Sequence, residues 1–248
     1  MRTLIATALL LALPSLAYAL CTAASAERRV PLLELYTSEG CNSCPPADRW
    51  VSGLPANGLK PDKLVVLAFH VDYWDRLGWV DKFGQARFSR RQQALNDRNR
   101  ARVVYTPQLV LNGKDYRRSG DDDFARRVAE VNRDKPRAAI RLELAPAAER
   151  VNVSGTWSST EAGDARAWLA LYENRLATFV RAGENGGKRL EHDFVVRDLA
   201  GPFAKGAMSH AFTIDKRWER ANLFVASFVQ DAKSGDVLQA LARPLCAG

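Results

Sequence analysis

The chain has 248 residues, of which 47% are hydrophobic and 26% are charged. This composition supports a sizeable folded core and excludes wholesale disorder. The formal net charge of +8 would suit a nucleic-acid partner, but the arginines of one predicted helix alternate with polar residues, as on a solvated helix face. These arginines are Arg87, Arg90, Arg91, Arg98, Arg100 and Arg102. We therefore expect no nucleic-acid partner.

The amino-terminal residues are typical of a secretory signal peptide. Arg2 supplies a positive charge, residues 4–13 form a short apolar run, and an A-x-A cleavage sequence ends at Ala19. This run is well short of the roughly 20 residues that cross a bilayer, and no later stretch is long enough either. We predict a signal peptide over residues 1–19, with a second candidate cut after Ala26. The mature chain is then periplasmic or secreted and has no transmembrane segment.

Strand and helix patterns alternate over the first half of the mature chain. Continuous apolar runs have the length of buried parallel strands, stripes of period 3.6 indicate helices, and Asn112-Gly113 is a hairpin signal. In chain order, these patterns predict a strand at 30–36, a helix after Pro46, a strand at 63–71, a helix at 81–100, strands at 108–111 and 115–118, and a helix from Phe124. The predicted order is βαβαββα.

The character of the sequence changes after Lys135-Pro136. Short, often alternating apolar runs follow, separated by glycine, proline, asparagine or charged turns. Such spacing is typical of an antiparallel β-sandwich or barrel. We predict an α/β domain over 27–135 and an antiparallel, all-β, sandwich-like domain over 136–248.

Cys41 and Cys44 lie between the first predicted strand and the first predicted helix. A CxxC at this junction places its first sulfur near unpaired backbone N–H groups and the positive end of the helix dipole, which favours the reactive thiolate. The two-residue gap lets the second cysteine resolve a mixed disulfide formed at the first. We predict Cys41 as the attacking residue and Cys44 as the resolving one.

Other uses of this pair compete with exchange chemistry. Structural zinc normally needs a second ligand pair, and the other cysteines, Cys21 and Cys246, lie near the chain ends. A structural CxxC disulfide stays open, since oxidised pairs are stable outside the cytosol. A copper site formed by Cys41, Cys44 and His70 also stays open. Cys21 and Cys246 are a candidate structural disulfide, which requires cleavage before Cys21.

Four further candidates follow the second strand at its carboxyl end: His70, Asp72, Tyr73 and Trp74. Ligand sites of open α/β sheets gather at that end. His70 is a candidate for stabilising a thiolate, moving a proton or binding a metal, and a packed strand-end histidine is the alternative. Tyr73 and Trp74 are candidates for an aromatic wall beside a client peptide, although aromatic side chains more often cap a core.

Thr106-Pro107 directly precedes the third predicted strand, where a proline can adopt the cis form. With the CxxC, this arrangement resembles the thioredoxin and glutaredoxin superfamily. The resemblance implies that Pro107 faces Cys41 and Cys44, and that Thr106 offers backbone hydrogen bonds to a bound peptide or thiol. Thr106 and Pro107 are therefore candidate site residues.

Four segments extend the resemblance over most of the mature chain: LYTSEGCNSCPPAD, LAFHVDYWDRLGW, VYTPQLVLNG and GENGGKRLEHDFVVRDL. They are similar to the bacterial secreted thioredoxin-like family known as domain of unknown function 1223. The resemblance implies a thioredoxin-like fold for residues 27–135. In one departure, thioredoxins keep a buried acid six residues before the first cysteine, and here that position is Leu35. No proton acceptor for Cys44 is evident.

Two classes of function follow from these observations. The first is an exported enzyme that exchanges disulfides with the thiols or disulfides of exported protein clients, without a cofactor. A redox partner protein is then a further candidate partner. The alternative is a non-catalytic thioredoxin-like binding module or a copper-delivery protein, in which the CxxC is a structural disulfide or a metal ligand.

Overall fold

The computed structural model describes residues 21–117, 123–160 and 163–246. The predicted signal peptide, residues 1–19, and Arg118 of the predicted hairpin lie outside the described residues. The described part of the chain is mostly β, with three α-helices. Within it, no helix is long and apolar enough to cross a membrane.

The secondary-structure elements fall into two groups along the chain. The first group is β1 (Cys21–Ala24), β2 (Leu32–Thr37), α1 (Pro45–Gly53), β3 (Val65–His70), α2 (Ala86–Arg98), β4 (Gln108–Leu111), β5 (Lys114–Asp115) and α3 (Phe124–Arg133). The second is β6 (Ala138–Pro146), β7 (Arg150–Ser159), β8 (Ala165–Glu173), β9 (Leu176–Phe179), β10 (Arg189–His192), β11 (Val195–Phe203), β12 (Gly206–Thr213), β13 (Leu223–Asp231) and β14 (Val237–Pro244). Short 3₁₀ turns span Asp75–Leu77 and Arg220–Asn222.

Helix α1 begins immediately after the CxxC. Cys44 is its N-cap residue, and prolines occupy the first two helical positions, where a missing N–H costs no helical hydrogen bond. Ala47, Val51 and Leu54 of the predicted stripe are buried in the core. Trp50 is half-buried and packs edge-on against Phe124 of α3 with ring centroids 4.9 Å apart.

Helix α2 is shorter than the 81–100 predicted from the sequence. Residues 81–85 form a turn in which the Asp81 carboxylate accepts the Phe83 N–H at 2.9 Å and the Asp81 carbonyl accepts the Gly84 N–H at 2.9 Å. A carboxylate that bonds nearby backbone N–H groups in this way competes with helix formation. Asp81 and Phe83 are therefore placed by a turn, and both are buried.

One eight-stranded mixed sheet extends through both predicted halves, in the order β14-β13-β8-β11-β3-β2-β4-β5. The two halves meet where β11 runs parallel to β3, with Val195 opposite Ala68. The predicted division near residue 136 stays a prediction, but strands from both sides of it share one hydrogen-bonded sheet.

The strands of this sheet bury side chains on two faces. Along β8, Ala170 and Tyr172 belong to the core that also contains the buried faces of α1, α2 and α3. Leu169 and Leu171 belong to a second core. The alternation follows from the two-residue repeat of a strand.

The second core lies against a four-stranded antiparallel sheet of order β1-β6-β7-β12. Strand β1 pairs with β6, with Cys21 opposite Leu144. Cys21 forms a disulfide with Cys246, and their Cα atoms are 6.4 Å apart. The ends of the described chain are thus fastened to each other beside this sheet.

One arginine departs from the predicted solvated helix face. Arg91 of α2 is buried and its Nε lies 2.7 Å from Glu34 Oε2 of β2. Its guanidinium also stacks over the rings of Phe69 and Phe228. The expectation of solvation was wrong for Arg91 because periodicity alone cannot distinguish a basic solvent face from a buried ion pair.

Candidate functional site

The Cys41–Cys44 disulfide occupies the turn between β2 and α1, with Cα atoms 5.5 Å apart. Both cysteines are 0% exposed. Several backbone donors near Cys41 are already used or missing: the Cys41 N–H donates to Ser38 O, the Cys44 N–H donates to Cys41 O, and prolines open the helix. The Ser43 hydroxyl lies 3.4 Å from Cys41 Sγ. This hydroxyl and the helix dipole are thus the groups positioned to stabilise a Cys41 thiolate.

The sheet register brings the predicted site residues to one edge. Thr37, the last residue of β2, pairs with His70 at the end of β3. The preceding β2 residue pairs with Gln108 at the start of antiparallel β4. Pro107 immediately precedes Gln108, so it lies at the same edge as the chain leading into Cys41. The Thr106–Pro107 peptide bond is cis.

Trp74 connects this edge to the CxxC turn. Its indole Nε1 donates to Thr106 Oγ1 at 2.7 Å. A Cβ added to Gly40 would lie 3.1 Å from the Trp74 Cβ atom, so Gly40 allows the indole-bearing segment to approach. Trp74 therefore lies between the residue before Cys41 and the residue before Pro107.

A groove of about 350 Å³ lies between α1 and the start of β4. It is bordered by Ala47, Val103, Tyr105, Pro107, Leu109, Tyr116 and Arg117. Its α1 wall, Ala47, is one turn from the disulfide, since the Ala47 N–H donates to Cys44 O at 2.9 Å. The mixture of apolar walls and one cationic rim residue suits an extended peptide.

Five titratable side chains form a buried cluster around the CxxC turn: Glu39, Asp48, His70, Asp81 and His192. His70 Nδ1 lies 2.6 Å from Asp81 Oδ2. Burial lowers the pKa of His70, but the adjacent Asp81 carboxylate outweighs it and raises that pKa above its ordinary value. Burial raises the pKa of Asp81, whereas His70 and two backbone N–H donors bring it below its usual range. These opposite shifts describe an ion pair.

Glu39 is held on several sides within the buried cluster. Its backbone N–H donates to Asp81 Oδ2 at 2.8 Å, and its Oε2 accepts the Trp79 indole N–H at 2.8 Å. Its other oxygen, Oε1, lies 3.4 Å from His192 Nε2. The Glu39 carboxylate is thereby fixed two residues before Cys41.

Asp48 lies on α1, one turn after Cys44. The Thr37 hydroxyl donates to its Oδ2 at 3.3 Å, and His192 Nδ1 lies 3.8 Å from that same oxygen. Burial raises the pKa of Asp48, and the nearby histidines oppose this only in part. A buried acid therefore does lie near Cys44. It comes from α1 and not from the position of Leu35, where thioredoxins have their buried acid.

A loop from the second half, residues 183–188, covers the CxxC turn. The fully buried Asn185 donates through Nδ2 to the carbonyls of Glu39 and Cys41, each at 2.9 Å. Glu184 Oε2 accepts the Asn42 N–H at 3.0 Å. We call residues 183–188 the covering loop. Its contacts hold it against the backbone of the CxxC turn, in which both cysteines are buried.

The profile of the family described as "Protein of unknown function (DUF1223)" matches residues 32–230. This chain belongs to that family. The family's description assigns no activity, and no curated protein matches the chain. The comparison thus identifies the relatives of this DUF1223 chain without naming a reaction.

One solved structure supports the fold of this DUF1223 chain. The crystal structure of protein AGR_C_4864 from Agrobacterium tumefaciens is similar, with a TM-score of 0.64 and 24% sequence identity. The match covers 90% of this chain and 99% of that one. A domain of the outer membrane lipoprotein Omp28 from Porphyromonas gingivalis gives a TM-score of 0.26 at 13% identity, covering 39% of this chain and 77% of that one. The similarity to the Omp28 domain is too low to indicate a shared fold.

The predicted site residues of this DUF1223 chain separate into two groups. His70 joins the buried cluster, and Trp74 and Thr106 lie beside the CxxC turn. Asp72 and Tyr73 instead bond to α2: the Asp72 N–H donates to Ser89 Oγ at 3.2 Å, and the Tyr73 hydroxyl donates to Gln92 at 3.2 Å. These contacts give both residues a structural role in attaching the loop after β3.

Among the described residues, no three His, Cys, Asp or Glu side chains are arranged to hold a metal ion. This includes the alternative set of Cys41, Cys44 and His70, whose cysteines are joined to each other in this oxidised state.

Sequence reasoning missed Glu39, Asp48, Asp81, His192 and Asn185. One signal was available for Asp48, because positions i and i+4 share a helix face and Cys44 caps that helix. No local pattern identifies His192 or Asn185, since each reaches the CxxC turn through the tertiary packing of the β9–β10 hairpin against α1.

Proposed function

We propose that this chain is an exported thiol–disulfide exchange protein that acts on protein clients through Cys41 and Cys44. The observation that carries the proposal is the position of the disulfide: it caps the amino end of α1, at the sheet edge shared with Pro107, one helical turn from an open groove. A purely structural bridge needs neither the groove nor the titratable cluster around it.

The chemistry divides between the two sulfurs. In the reduced protein, the Cys41 thiolate attacks one sulfur of a client disulfide, and the other client sulfur leaves as a thiolate. Cys44 then attacks Cys41, which closes the Cys41–Cys44 disulfide and releases the client as a dithiol. The protein loses two electrons and the client gains two. The reverse sequence oxidises a client dithiol.

The order of elements from β2 to α3 supports a thioredoxin-like assignment for this part of the chain. Strand, helix, strand, helix, two strands and helix follow each other, with β2 and β3 parallel and β4 antiparallel to β2. In such a fold, the residue before the proline presents its backbone to an extended client. We assign this role to Thr106, with Pro107 forming part of the groove.

Two observations support export. Strand β1 and the Cys21–Cys246 disulfide both require residues that follow the first candidate cleavage site, after Ala19. Disulfides persist in oxidising compartments, and the described residues contain two of them. A periplasmic or secreted protein fits both facts.

A second candidate function is a binding module whose CxxC is structural. The complete burial of both cysteines favours it, because an inaccessible disulfide cannot meet a client unless the surrounding residues move. The two candidates differ in what happens to Cys41 after reduction.

A trapping experiment tests the proposal. The mature chain carrying Cys44→Ala is reduced and incubated with an oxidised peptide that contains one disulfide. We expect a covalent adduct through Cys41, found by mass spectrometry and released by dithiothreitol. The Cys41→Ala, Cys44→Ala double variant is the matched control and gives no adduct.

The reduction potential of the pair gives an independent measurement, by equilibration with glutathione buffers. Structural disulfides have potentials below about −300 mV. Absence of an adduct, together with a potential below that value, would overturn the exchange function in favour of the binding module.

A further inference from the structure

His192 is buried beside the CxxC turn without the hydrogen bonds that a buried imidazole normally has. Neither of its ring nitrogens has a hydrogen-bond partner, and the same is true of Glu39 Oε1. Buried side-chain polar atoms nearly always have one, so each exception needs a physical explanation. Packing alone gives no reason for placing an unsatisfied histidine between acids.

His192 spans the two ends of the CxxC segment. Its Nε2 lies 3.4 Å from Glu39 Oε1, and its Nδ1 lies 3.8 Å from Asp48 Oδ2. Glu39 precedes Cys41 by two residues, and Asp48 follows Cys44 by four, on the same face of α1. A protonated His192 has an acid at each ring nitrogen, whereas a neutral one has an N–H toward only one of them.

Several elements place other charged groups near His192. Asp193, next to it in the chain, accepts the Arg175 N–H at 2.8 Å, and Arg49 of α1 is exposed. The ring centroid of His70, on β3, lies 5.0 Å from that of His192, and Asp81 is hydrogen-bonded to His70. The Phe83 ring lies on another side of His192, and the two ring centroids are 5.8 Å apart. On the strand of His192 itself, Glu191 is exposed and pairs with Arg189. Asp48 and Glu39 are therefore the acids that His192 faces directly.

Both Asp48 and His192 retain a small contact with the outside. Asp48 is 5% exposed and borders a cavity of about 110 Å³ between α1 and β10. His192 is 3% exposed and borders a groove of about 310 Å³ along β9 and β10. A proton held on this pair can therefore be exchanged with water while the charges stay mostly desolvated.

We infer that Asp48 accepts the proton of Cys44 during disulfide closure and that His192 is the positioning residue that passes this proton to and from solvent. This inference rests on the proposed exchange function. It gives a use to the unpartnered nitrogens, because His192 alternates between one and two N–H groups.

In the mixed disulfide, Cys44–SH gives its proton to the Asp48 carboxylate and becomes a thiolate. The Cys44 thiolate attacks Cys41 Sγ, the bond from Cys41 to the client sulfur breaks, and that sulfur leaves as a thiolate with the electron pair. Asp48 then passes its proton through His192 to water, and the client thiolate takes a proton from water.

A single-turnover experiment isolates this step. The reduced protein is mixed with 4,4′-dithiodipyridine, which releases one thiopyridone when Cys41 attacks and a second when Cys44 closes the disulfide. The Cys44→Ala variant identifies the second release by lacking it. The rate of second release is followed from about pH 5 to about pH 10, below and above the ordinary thiol pKa of about 8.5.

Asp48→Asn and His192→Gln should each slow the second release about a hundredfold at the acidic end, the lower end of the range for a lost general base. The deficit should disappear at the basic end, where Cys44 ionises without help. Asp48→Glu should restore part of the lost rate. The matched controls are His210→Gln, a partly exposed histidine on β12, and Asp62→Asn, an exposed acid; both should follow the wild-type profile.

Different outcomes separate this inference from the proposed function. A second release with unchanged pH profiles in Asp48→Asn and His192→Gln overturns the inference and leaves exchange intact. Absence of any second release from the wild type at every pH overturns both. Should the variants not fold, the wild-type profile decides: a second release that simply rises tenfold per pH unit below the thiol pKa means that Cys44 ionises without an internal acceptor, which overturns the inference.

Discussion

The two disulfides of this chain lie in opposite kinds of surroundings. Cys41 and Cys44 are separated by three positions, fully buried, and bordered by acids and histidines. Cys21 and Cys246 are separated by 225 positions and partly exposed, beside the apolar core between two sheets. The two bonds thus differ in both sequence separation and local polarity, and only the short one lies among ionisable side chains, as the proposed exchange function requires.

The chain-entropy model gives the contribution of each disulfide to the free energy of unfolding. Closing a loop restricts the unfolded chain in proportion to the logarithm of loop length, so the long loop contributes about 5 kcal/mol and the short one about 2 kcal/mol. Opening the short loop therefore has the smaller effect on stability, which suits a bond that breaks and forms repeatedly.

The largest expected effect concerns activity. Cys41→Ser should abolish reduction of a disulfide-bonded peptide by the reduced protein, because it removes the attacking sulfur. The Cys21→Ser, Cys246→Ser double variant should retain that activity. The measurement is the initial rate of peptide-thiol formation at a temperature where all variants are folded. Equal loss of activity in both would mean that the two disulfides do not divide function and stability.

The next effect is on stability and has the opposite pattern. The Cys21→Ser, Cys246→Ser variant should lose about 5 kcal/mol of unfolding free energy from loop entropy. For a chain of this size, that corresponds to a fall in Tm of about 10–20 °C. The Cys41→Ser, Cys44→Ser variant is the control and should fall by less than half as much. Denaturant unfolding followed by circular dichroism measures both, and equal losses would contradict the comparison.

How far the sequence predicts these two regions depends on whether the decisive contacts are local. The α1 stripe and the position of the CxxC followed from the periodicity of Ala47, Val51 and Leu54 and from the prolines, which are local signals. The buried cluster could not be derived in this way. His192 lies about 140 residues after Asp48 in the chain and reaches it through the packing of the β9–β10 hairpin on α1, which no periodicity encodes.

Arg91 and Asp81 show two further limits of sequence patterns. Arg91 has the spacing of a solvated helix residue. Its burial depends on its ion pair with Glu34, which lies in the otherwise apolar strand β2. The sequence pattern predicts a helix from Asp81, whereas the Asp81 carboxylate closes a turn and binds His70. In both cases a charged partner distant in sequence determines the conformation.

The covering loop gives a third, smaller effect. Asn185→Ala would leave the buried carbonyls of Glu39 and Cys41 without their side-chain donor, at a cost of about 1–3 kcal/mol. We expect a lower Tm and a faster reaction of reduced Cys41 with a small thiol reagent, since the covering loop is released. Asn57→Ala, at an exposed position, is the matched control. A lower Tm without faster labelling would show that the covering loop stabilises the turn but does not restrict access to it.

The smallest effect is a pH dependence at Asp48. Because burial raises the pKa of Asp48 in the folded protein, the folded state holds this proton more tightly than the unfolded chain does. The resulting stability is present below the ordinary carboxyl pKa of about 4 and is lost as the pH rises through the folded-state pKa. Asp48→Asn has no proton to lose at this site. Its Tm relative to wild type should therefore rise between about pH 4 and about pH 8.

Asp62→Asn is the control for this pH dependence, because Asp62 is an exposed acid. Its Tm difference from wild type should change little over the same pH range. An Asp48→Asn difference that is constant with pH would mean that Asp48 carries the same charge in the folded and unfolded chains. The ionisable cluster would then be a fixed structural network, and the short disulfide would differ from the long one in loop length but not in its coupling to protons.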